Sequence, residues 1–375
     1  MMQIGINAQL LSRETGYRRA GIHQYIWQIL RYLPWPFAEM RYVVFAQAET
    51  AVPPHPGITT IPTRWPTQKP PIRILWEQLV WPRLVWRQQI DLLHSMAFVT
   101  PLLTPAPTVV TVYDLSFIHY PERFPTLQRL YLQTQTRRSC RWAQRIITIS
   151  QSSRQDVHQQ FGVPLSRIDV VYPGVDKVYR PLSPHEISKF RQQNNLPERF
   201  ILHVGTLQPR KNIPVLLKAF ARLRDPDLHL FLVGGKGWLY DDIFAQVEAL
   251  QLTDRVHFTG YVPDETLPFW YNTALALVFP SVYEGFGMPV IEAMACGTPV
   301  IAANTSSLPE AAGSAALLFT PHNPEELADR IDTVLHNSGI WATMREQGWQ
   351  QAQKFSWERA GRETAEIYQR ALREL

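Results

Sequence analysis

Short apolar runs alternate with amphipathic stretches along the whole chain, which is the pattern of strands that alternate with helices. In the first half, strand-like runs cover 3–7, 42–46, 91–95, 108–114 and 145–149, and helical patterns cover 21–33 and 127–142. In the second half, strand-like runs cover 200–204, 229–233, 256–259, 275–279, 300–303 and 316–319, and helical patterns cover 213–224, 241–250, 289–295 and 324–335. Strands that alternate with helices form parallel sheets covered on both faces. The sequence therefore predicts two doubly wound, Rossmann-like α/β domains in tandem.

A proline-rich stretch divides the two halves. Three prolines lie between residues 172 and 184, and linkers between domains favour such a composition. We predict one domain over residues 1–178 and a second over residues 179–356. The helical segment 357–375 has no strand after it and can pack on either domain. Two such domains would face each other across a cleft at the carboxyl ends of their strands, where open α/β sheets bind ligands.

The composition is that of a globular protein. A length of 375 residues agrees with two domains of roughly 150 residues each. The apolar share of 45% and the 43 aromatic residues supply large cores and exclude a disordered chain. No apolar run is long enough for a transmembrane helix, and the first residues lack the pattern of a signal peptide. Two cysteines, Cys140 and Cys296, are too few for a disulfide framework and fit a reducing compartment. We expect a cytoplasmic protein.

The net charge of +5 hides an asymmetry between the halves. Residues 1–180 carry 20 Lys and Arg against 10 Asp and Glu, and the remaining residues carry 17 against 22. A basic half suits nucleic acid, an anionic membrane or a phosphorylated substrate. No recognised nucleic-acid-binding module accompanies the charge, so we predict no nucleic-acid partner.

The segment 64–87 combines tryptophans with Lys and Arg, a composition that suits a membrane interface. Four of its apolar residues have the helical spacing of a core-facing surface: Leu75, Trp76, Leu79 and Val80. Pro82 interrupts that pattern. We favour core packing of this segment over membrane anchoring.

The loop after the run 200–204 carries two adjacent cations, Arg210 and Lys211, just before a helix. Cations at a helix N-terminus oppose the helix dipole, which is unfavourable on its own. A bound anion such as a diphosphate would compensate for this arrangement. The alternative is a solvated turn with two surface cations.

A second loop, after the run 275–279, contains Gly285 and Gly287, and Pro289 then lies in the first turn of a helix. Glycines let a ligand approach the main chain closely. The amides of such a loop and of the first helical turn can bind phosphate or hydroxyl oxygens.

Glu284 and Glu292 are eight residues apart at this loop. On a continuous helix that separation would be about 12 Å, whereas the carboxylates of a retaining glycosidase lie about 5–5.5 Å apart. The spacing instead suits two carboxylates at opposite ends of an elongated ligand such as a nucleotide sugar. The alternative for Glu292 is an ordinary surface position on a helix.

Other motifs are absent or weak. The chain has no G-x-G-x-x-G after its first strand and no Cys/His metal spacing, and residues 234–237 fail the P-loop pattern. The triplet 225–227, Asp-Pro-Asp, has the composition of a metal site beside a diphosphate, but we interpret it as a turn.

Candidates in the first half lie at the ends of predicted strands. Gly21 would let the backbone approach the cleft, although an ordinary loop is the alternative. Tyr113 and Asp114 end the run 108–114, where a catalytic or acceptor-orienting group would sit, and Asp114 is equally suited to capping a turn. His94 fits a hydrogen-bonded structural role better than a catalytic one.

Several stretches resemble the signatures of the group-1 (family 4) retaining glycosyltransferases, which have the GT-B fold. In the second half they are Pro280-Ser281-x-Tyr283-Glu284-Gly285-Phe286-Gly287-Met288-Pro289, Glu292-Ala293-Met294-Ala295-Cys296-Gly297-Thr298-Pro299-Val300 and Gly205-Thr206-x-x-Pro209-Arg210-Lys211-Asn212. The first half resembles the family more loosely, through Ala20-Gly21-Ile22-x-x-Tyr25 and Thr111-Val112-Tyr113-Asp114-Leu115. The resemblance extends in outline over nearly the whole chain.

The resemblance implies transfer of a hexose from a nucleotide-diphosphate sugar, with retention of the anomeric configuration and with neither a divalent metal nor another cofactor. By the resemblance, the catalytic residues are Arg210 and Lys211, which neutralise the leaving diphosphate, and Glu284, which holds the hexose. The donor-binding residues would be Gly21, Thr206, Val262, Gly285, Phe286, Gly287, Met288, Pro289 and Glu292. Of these, Glu292 would hold the ribose hydroxyls, and Val262 would lie near the base. The helix 357–375 would return to the first domain.

The resemblance also implies the partners. The donor would be of the UDP-glucose or GDP-mannose type, and the basic first domain would bind a growing polysaccharide or a polyprenyl-diphosphate-linked glycan at an anionic membrane. Tyr113 stands where many relatives have His, and Thr206 where many have Arg, so a donor preference does not carry over. Two other classes remain open, namely a non-catalytic nucleotide-sugar-binding protein and a phosphorylase or hydrolase of activated sugars.

Overall fold

The computed structural model describes residues 1–11, 21–48, 50, 52–235 and 241–374. The chain divides into two compact units, one formed by Met1–Gly174 with Trp357–Leu375 and the other by Val175–Ser356. The division after Gly174 lies within the proline-rich stretch of the sequence, a few residues before the boundary predicted at 178.

The first unit is built on a parallel sheet of seven strands. The strands are β1 (Met2–Asn7), β2 (Met40–Gln47), β3 (Ile58–Thr63), β4 (Leu92–Ser95), β5 (Thr108–Val112), β6 (Arg145–Thr148) and β7 (Ile168–Val170). They pair in the order β3-β2-β1-β4-β5-β6-β7, and the central strands are buried because helices cover both faces. The helices before the linker are α1 (Ile22–Tyr32), α2 (Pro70–Leu75), α3 (Trp81–Arg87), α4 (Ser116–His119), α5 (Thr126–Trp142) and α6 (Gln151–Phe161).

The segment 64–87 is partly core and partly exposed. A π-helical turn at Trp76–Val80 joins α2 to α3, so Pro82 lies in the first turn of α3 and does not interrupt the helical run. Trp76 and Trp81 are buried and stack with ring centroids 6.0 Å apart, as core packing requires. The prediction was wrong for Leu75 and Leu79, which are exposed. The wider π turn changes the spacing of the buried face from three or four residues to five.

The second unit contains a parallel sheet of six strands, β8 (Phe200–Val204), β9 (His229–Val233), β10 (Val256–Gly260), β11 (Ala276–Phe279), β12 (Val300–Ala303) and β13 (Leu317–Phe319), in the order β10-β9-β8-β11-β12-β13. Its helices are α7 (Pro184–Gln193), α8 (Ile213–Phe220), α9 (Asp241–Ala249), α10 (Leu267–Thr273), α11 (Met288–Ala295), α12 (Leu308–Ala312), α13 (Pro324–His336) and α14 (Ser338–Ala352). Because all strands are parallel, the loops after β8, β10 and β11 meet at one edge of the sheet.

The last helix, α15 (Trp357–Arg373), packs in the first unit against α1. A Cβ atom at Gly361 would lie 2.1 Å from the carbonyl oxygen of Tyr32, so only glycine permits this close approach. The Tyr368 hydroxyl lies 2.7 Å from His94 Nδ1, and Arg370 pairs with Asp169 at 2.9 Å. Among the described helices, none combines the length and the apolarity that a membrane span requires.

Candidate active site

The two cations predicted to bind an anion lie on a short loop after β8. Gly205 begins this loop with a φ of 153°, and Pro209–Lys211 form a 3-10 turn. Asn212 follows in the left-handed region and is the residue before α8. The carbonyl oxygen of Arg210 accepts a hydrogen bond of 2.9 Å from the amide of Val282, which ties this loop to the loop after β11. The cations are therefore held at the carboxyl edge of the sheet.

Glu284 pairs with both cations. Lys211 Nζ donates to one carboxylate oxygen at 2.7 Å, and Arg210 Nη1 donates to the other. Arg210 Nη1 also donates to the carbonyl oxygen of Tyr283 at 2.8 Å, and Lys211 Nζ lies 4.7 Å from the centre of the Phe279 ring. Lys211 and Glu284 are both buried. This arrangement differs from the solvated turn that was the alternative interpretation.

The electrostatics of the pair favour an ionised Glu284. Burial by itself would raise the pKa of its carboxyl group, but the charges of Arg210 and Lys211 outweigh burial and lower the pKa to about 2. Glu284 is therefore an anion at neutral pH and has no proton to donate.

The main chain of Glu284 is fixed from a neighbouring loop. Ser306 Oγ and Ser307 Oγ donate to its carbonyl oxygen at 2.7 and 2.9 Å. Gly287 has a φ of 102°, and a Cβ there would lie 2.7 Å from Leu308 Cδ2, so this position requires glycine. The conformation of the loop Gly285–Gly287 is therefore fixed where the loop enters α11 at Met288. The first turn of α11 includes Pro289.

Glu292 lies on α11 in a different environment. The Tyr271 hydroxyl donates to its Oε2 at 2.9 Å. Burial raises the pKa of Glu292 to about 7, and the negative charges of Asp264 and Asp176 add to this effect. The two predicted carboxylates therefore differ: Glu284 is charged at neutral pH, and Glu292 titrates near neutrality.

The remaining predicted donor residues of this unit line the same edge of the sheet. Thr206 follows β8 and is half-buried, and Val262 follows β10 and is also half-buried. Phe286 is buried and packs edge-on against Phe355, with ring centroids 5.2 Å apart. Its side chain therefore anchors the glycine loop.

The predicted site residues of the first unit each lie in a different local environment. Gly21 precedes α1 with a φ of 69°, and a Cβ there would meet no atom within 4 Å. Tyr113 is buried and donates its hydroxyl hydrogen bond to the carbonyl oxygen of Met96 at 2.7 Å. Asp114 Oδ1 accepts from the amide of Ser116 at 2.8 Å, as the turn-capping interpretation predicts. His94 lies between the hydroxyls of Thr111 and Tyr368, at 2.8 and 2.7 Å, in a structural role.

Sequence reasoning missed three kinds of supporting residue in the second unit. They are His203 inside β8, Tyr271 on α10, and the serine pair Ser306 and Ser307. His203 Nδ1 lies 3.0 Å from the carbonyl oxygen of Val278, and burial and the charge of Lys211 lower its pKa to about 3. A lone polar residue within the apolar run Phe-Ile-Leu-His-Val was the signal available for His203.

The other motifs carry no site in the described chain. Asp225 Oδ1 accepts from the amide of Asp227 at 3.1 Å, and Asp225 Oδ2 pairs with Arg199 at 2.9 Å, so the triplet is a turn, as predicted. Across the described ranges, no cluster of His, Cys, Asp and Glu could hold a metal ion. Cys140 and Cys296 are buried free thiols. Lys236 and Gly237 lie outside the described residues.

Two parallel α/β units, one with a cation pair beside a glycine loop at the sheet edge, are the features expected of the GT-B glycosyltransferases. Residues 19–178 match the family model Glycosyltransferase Family 4, and residues 185–355 match the model Glycosyl transferases group 1. O-antigen chain mannosyltransferase B of Escherichia coli is 35% identical over 267 residues, which are 69% of each chain. The chain belongs to the group 1 glycosyltransferases, which confirms the predicted family.

Other relatives are matched over part of their length or in fold alone. The chain spans 32% of the serotype-specific mannosyltransferase WbdA of Escherichia coli, with 29% identity over 265 residues. Sucrose-phosphate synthase of Thermosynechococcus elongatus superposes with a TM-score of 0.79 at 22% identity over the whole of both chains. HepE of Anabaena, in complex with UDP and glucose, superposes with a TM-score of 0.74 at 24% identity over 98% of this chain and all of HepE. These structures confirm the predicted fold.

Proposed function

We propose that this protein transfers a hexose from a nucleotide-diphosphate sugar to a growing polysaccharide or a lipid-linked glycan, with retention of the anomeric configuration and without a divalent metal. The observation that carries the proposal is the cation pair, Arg210 and Lys211, held on the buried Glu284 carboxylate. A diphosphate leaving group needs positive charge near its oxygens, and these two side chains supply it.

The charge state of the site favours one kind of mechanism. Glu284 is ionised at neutral pH, so it cannot protonate the leaving group. As the bond between the anomeric carbon and the diphosphate oxygen breaks, the bonding electrons stay with the diphosphate. The acceptor hydroxyl oxygen bonds to the anomeric carbon from the same face, and its proton passes to the departing diphosphate. Its growing negative charge is then met by Lys211 Nζ and the Arg210 guanidinium. In this proposal Glu284 orients both cations and accepts hydrogen bonds from hydroxyl groups of the hexose.

The names of the relatives limit the choice of the transferred hexose. The matched chain of Escherichia coli is named an O-antigen chain mannosyltransferase, and HepE was crystallised with UDP-glucose. We therefore propose mannose or glucose as the transferred hexose and a polysaccharide chain as the acceptor.

Glu292 would bind the ribose hydroxyls through its carboxylate, so nucleotide affinity should depend on pH. With a pKa of about 7, Glu292 gains a negative charge as the pH rises, and a carboxylate accepts hydroxyl hydrogen bonds better than a carboxylic acid does. We expect UDP or GDP to bind about tenfold more weakly at pH 6 than at pH 8, as a tenfold higher dissociation constant measured by calorimetry.

The matched control for this prediction is Glu292→Gln, which keeps the shape and removes the titration. The variant should bind more weakly than the wild type at pH 8 and show little change between the two pH values. The same pH slope in wild type and variant would assign the titration to another group.

The test of the proposed function is thermal unfolding with UDP, GDP and ADP, each with Mg²⁺ and with EDTA. A ligand at 100 times its dissociation constant stabilises the fold by about 2.7 kcal/mol, which is several degrees for units of this size. One nucleotide that stabilises equally in EDTA supports the metal-free donor site, and a shift that needs Mg²⁺ contradicts it.

The anomeric configuration of the product, followed by NMR, tests retention. Release of free hexose in water alone, or a requirement for phosphate, would favour the hydrolase or phosphorylase alternative. Nucleotide-sugar binding without turnover on any glycan would favour the non-catalytic alternative.

A further inference from the structure

His203 is a polar residue within the buried strand β8, and its side chain is fully buried. A buried polar group lowers stability unless its polar atoms are hydrogen-bonded. The Nδ1 atom has a partner, because it lies 3.0 Å from the carbonyl oxygen of Val278 on β11. Among the described residues, the Nε2 atom is buried without a hydrogen-bond partner. Packing alone therefore does not explain why β8 carries a histidine at this position.

The Nδ1 side of the ring has a structural role. The backbone pairing of β8 with β11 ends at Leu202 and Leu277. At the next residue of each strand, the His203 ring connects the two strands by donating to Val278. A carbonyl oxygen can only accept, so Nδ1 carries the ring proton. Because burial lowers the pKa of His203 to about 3, the ring is neutral at neutral pH, and Nε2 is a hydrogen-bond acceptor.

The packing of the ring fixes the direction of the Nε2 atom. The imidazole stacks on Phe279, with the ring centroids 5.8 Å apart and the ring planes inclined by 19°. Together with the hydrogen bond to Val278, this contact holds the ring in place. Lys211 Nζ lies 4.7 Å from the centre of the same Phe279 ring. The acceptor and the cation are therefore neighbours on one aromatic side chain.

Gly205 borders both nitrogen atoms. A Cβ atom built at Gly205 would lie 3.3 Å from Lys211 Nζ and 3.5 Å from His203 Nε2. The two nitrogen atoms therefore surround the same small space, which a side chain at residue 205 would occupy. Because Nε2 has no partner in the described chain, it can accept a hydrogen bond from a second position of the ammonium group.

The proposed transfer reaction requires such a second position. Lys211 Nζ donates to Glu284 at 2.7 Å, and a diphosphate that enters the site competes for the same ammonium group. An ammonium group has three N–H donors, so it can bind a diphosphate and a further acceptor at the same time. A neutral acceptor orients the ammonium group without cancelling its charge, whereas a second carboxylate would reduce the charge that the diphosphate meets.

We propose that His203 is a positioning residue for Lys211. When a diphosphate draws Nζ away from Glu284, the Nε2 atom of His203 accepts a hydrogen bond from Nζ and keeps the ammonium group directed at the diphosphate. No proton is transferred between the two side chains. Binding of a diphosphate is sufficient for this contact, and its use in catalysis rests on the proposed function.

Nitrogen NMR of the full chain with ¹⁵N-labelled histidine tests the contact directly. We expect His203 to show a protonated Nδ1 and an unprotonated Nε2, and the His203→Asn variant identifies its signals. Inorganic pyrophosphate, and each nucleoside diphosphate that stabilises the fold, should move the Nε2 signal in the direction of hydrogen bonding. The signal should not move in Lys211→Ala. His94, which lies between two hydroxyl groups in the first unit, is the internal control, and its signals should stay in place.

Two substitutions separate the two sides of the ring. His203→Asn keeps an N–H donor next to Val278 but removes the acceptor, and His203→Gln places an amide oxygen near the position of Nε2. We expect kcat/KM for glycosyl transfer to fall about tenfold in His203→Asn, as for the loss of one hydrogen bond to a charged group, and to recover in part in His203→Gln. The matched control is His229→Asn at the start of the adjacent strand β9, which should leave the rate unchanged.

A double-mutant cycle shows whether His203 acts through Lys211. If it does, His203→Asn should lower kcat/KM about tenfold when Lys211 is present and have little effect in a Lys211→Ala background. The same loss in both backgrounds would assign His203 to packing alone and would overturn the proposal. An unchanged unfolding temperature confirms that each variant is folded.

Three NMR outcomes separate this proposal from the proposed function, and the wild-type signal decides them even where a variant fails to fold. A nucleotide that stabilises the wild type without moving the Nε2 signal would overturn the positioning role and leave the transfer reaction in place. A signal moved by pyrophosphate, with no stabilisation by any nucleoside diphosphate, would support the contact and contradict the proposed function. No response to pyrophosphate or to any nucleotide would overturn both.

Discussion

Replacing Lys211 with alanine should lower kcat/KM for glycosyl transfer by about 10²-fold or more. Lys211 Nζ is a buried cation on the Glu284 carboxylate, and in the proposed mechanism it meets the charge that develops on the leaving diphosphate. Removing one preorganised group that stabilises a developing charge typically costs about 10²–10³ in rate. Initial rates with a donor of the type identified by nucleotide stabilisation provide the measurement.

The matched control is Lys218→Ala, which removes an exposed lysine from the adjacent helix α8. It should leave the rate unchanged. If Lys211→Ala and Lys218→Ala have the same rate as the wild type while both are folded, the leaving group is neutralised elsewhere. A rise in KM alone, with kcat preserved, would restrict Lys211 to ground-state binding.

The sequence predicts the central strands well because their signal is local. The runs 200–204, 229–233 and 300–303 coincide with β8, β9 and β12, since strands covered on both faces are mostly apolar. The strands β3 (Ile58–Thr63) and β7 (Ile168–Val170) were missed. Both lie at an edge of the sheet, and β3 exposes Thr59 and Thr60, so neither has a continuous apolar run.

The contact between the two cations and Glu284 could not be predicted from local sequence patterns. The sequence places Arg210 and Lys211 after one strand and Glu284 after another, more than 70 residues later. Their meeting depends on β8 and β11 being neighbours, which is a property of the strand order. The same holds for the pKa of Glu292, which depends on Tyr271 and on acidic residues from distant segments.

Helical periodicity also predicted the wrong buried face where the helix changes from α to π geometry. Leu75 and Leu79 have the spacing of a buried face in an ideal α-helix, but the π turn at Trp76–Val80 places the core on Trp76 and Trp81. The cause is tertiary, because the two indoles and Phe45 fill the same core cluster.

Replacing Glu284 with glutamine should abolish most of the transfer activity and destabilise the second unit. The change leaves the buried Lys211 and the half-buried Arg210 without their counter-charge, and breaking a buried ion pair from one side typically costs about 3–5 kcal/mol. The surface pair Arg222–Glu325 provides the control, because Glu325→Gln breaks an exposed ion pair and should cost about 0–1 kcal/mol.

The pH dependence of unfolding distinguishes loss of the carboxylate from a general loss of packing. The pKa of Glu284 is lowered from 4.5 to about 2, so its ionisation stabilises the native state fully above pH 4.5. That contribution, on the order of 3 kcal/mol, is lost as the pH falls toward 2. The wild type should therefore lose more stability over this range than Glu284→Gln. Parallel curves for the two proteins would contradict the charge assignment.

Nucleoside diphosphates should partly restore the stability of the Glu284→Gln variant. In the wild type a diphosphate binds cations that are already paired, whereas in Glu284→Gln it would supply the missing negative charge to Arg210 and Lys211. We expect the nucleotide that stabilises the wild type to raise the unfolding temperature of Glu284→Gln by more than it raises that of the wild type. Double replacement of Arg210 and Lys211 by methionine removes both cations and should eliminate the extra stabilisation. An equal or smaller shift in Glu284→Gln would mean that the diphosphate does not bind at this cation pair.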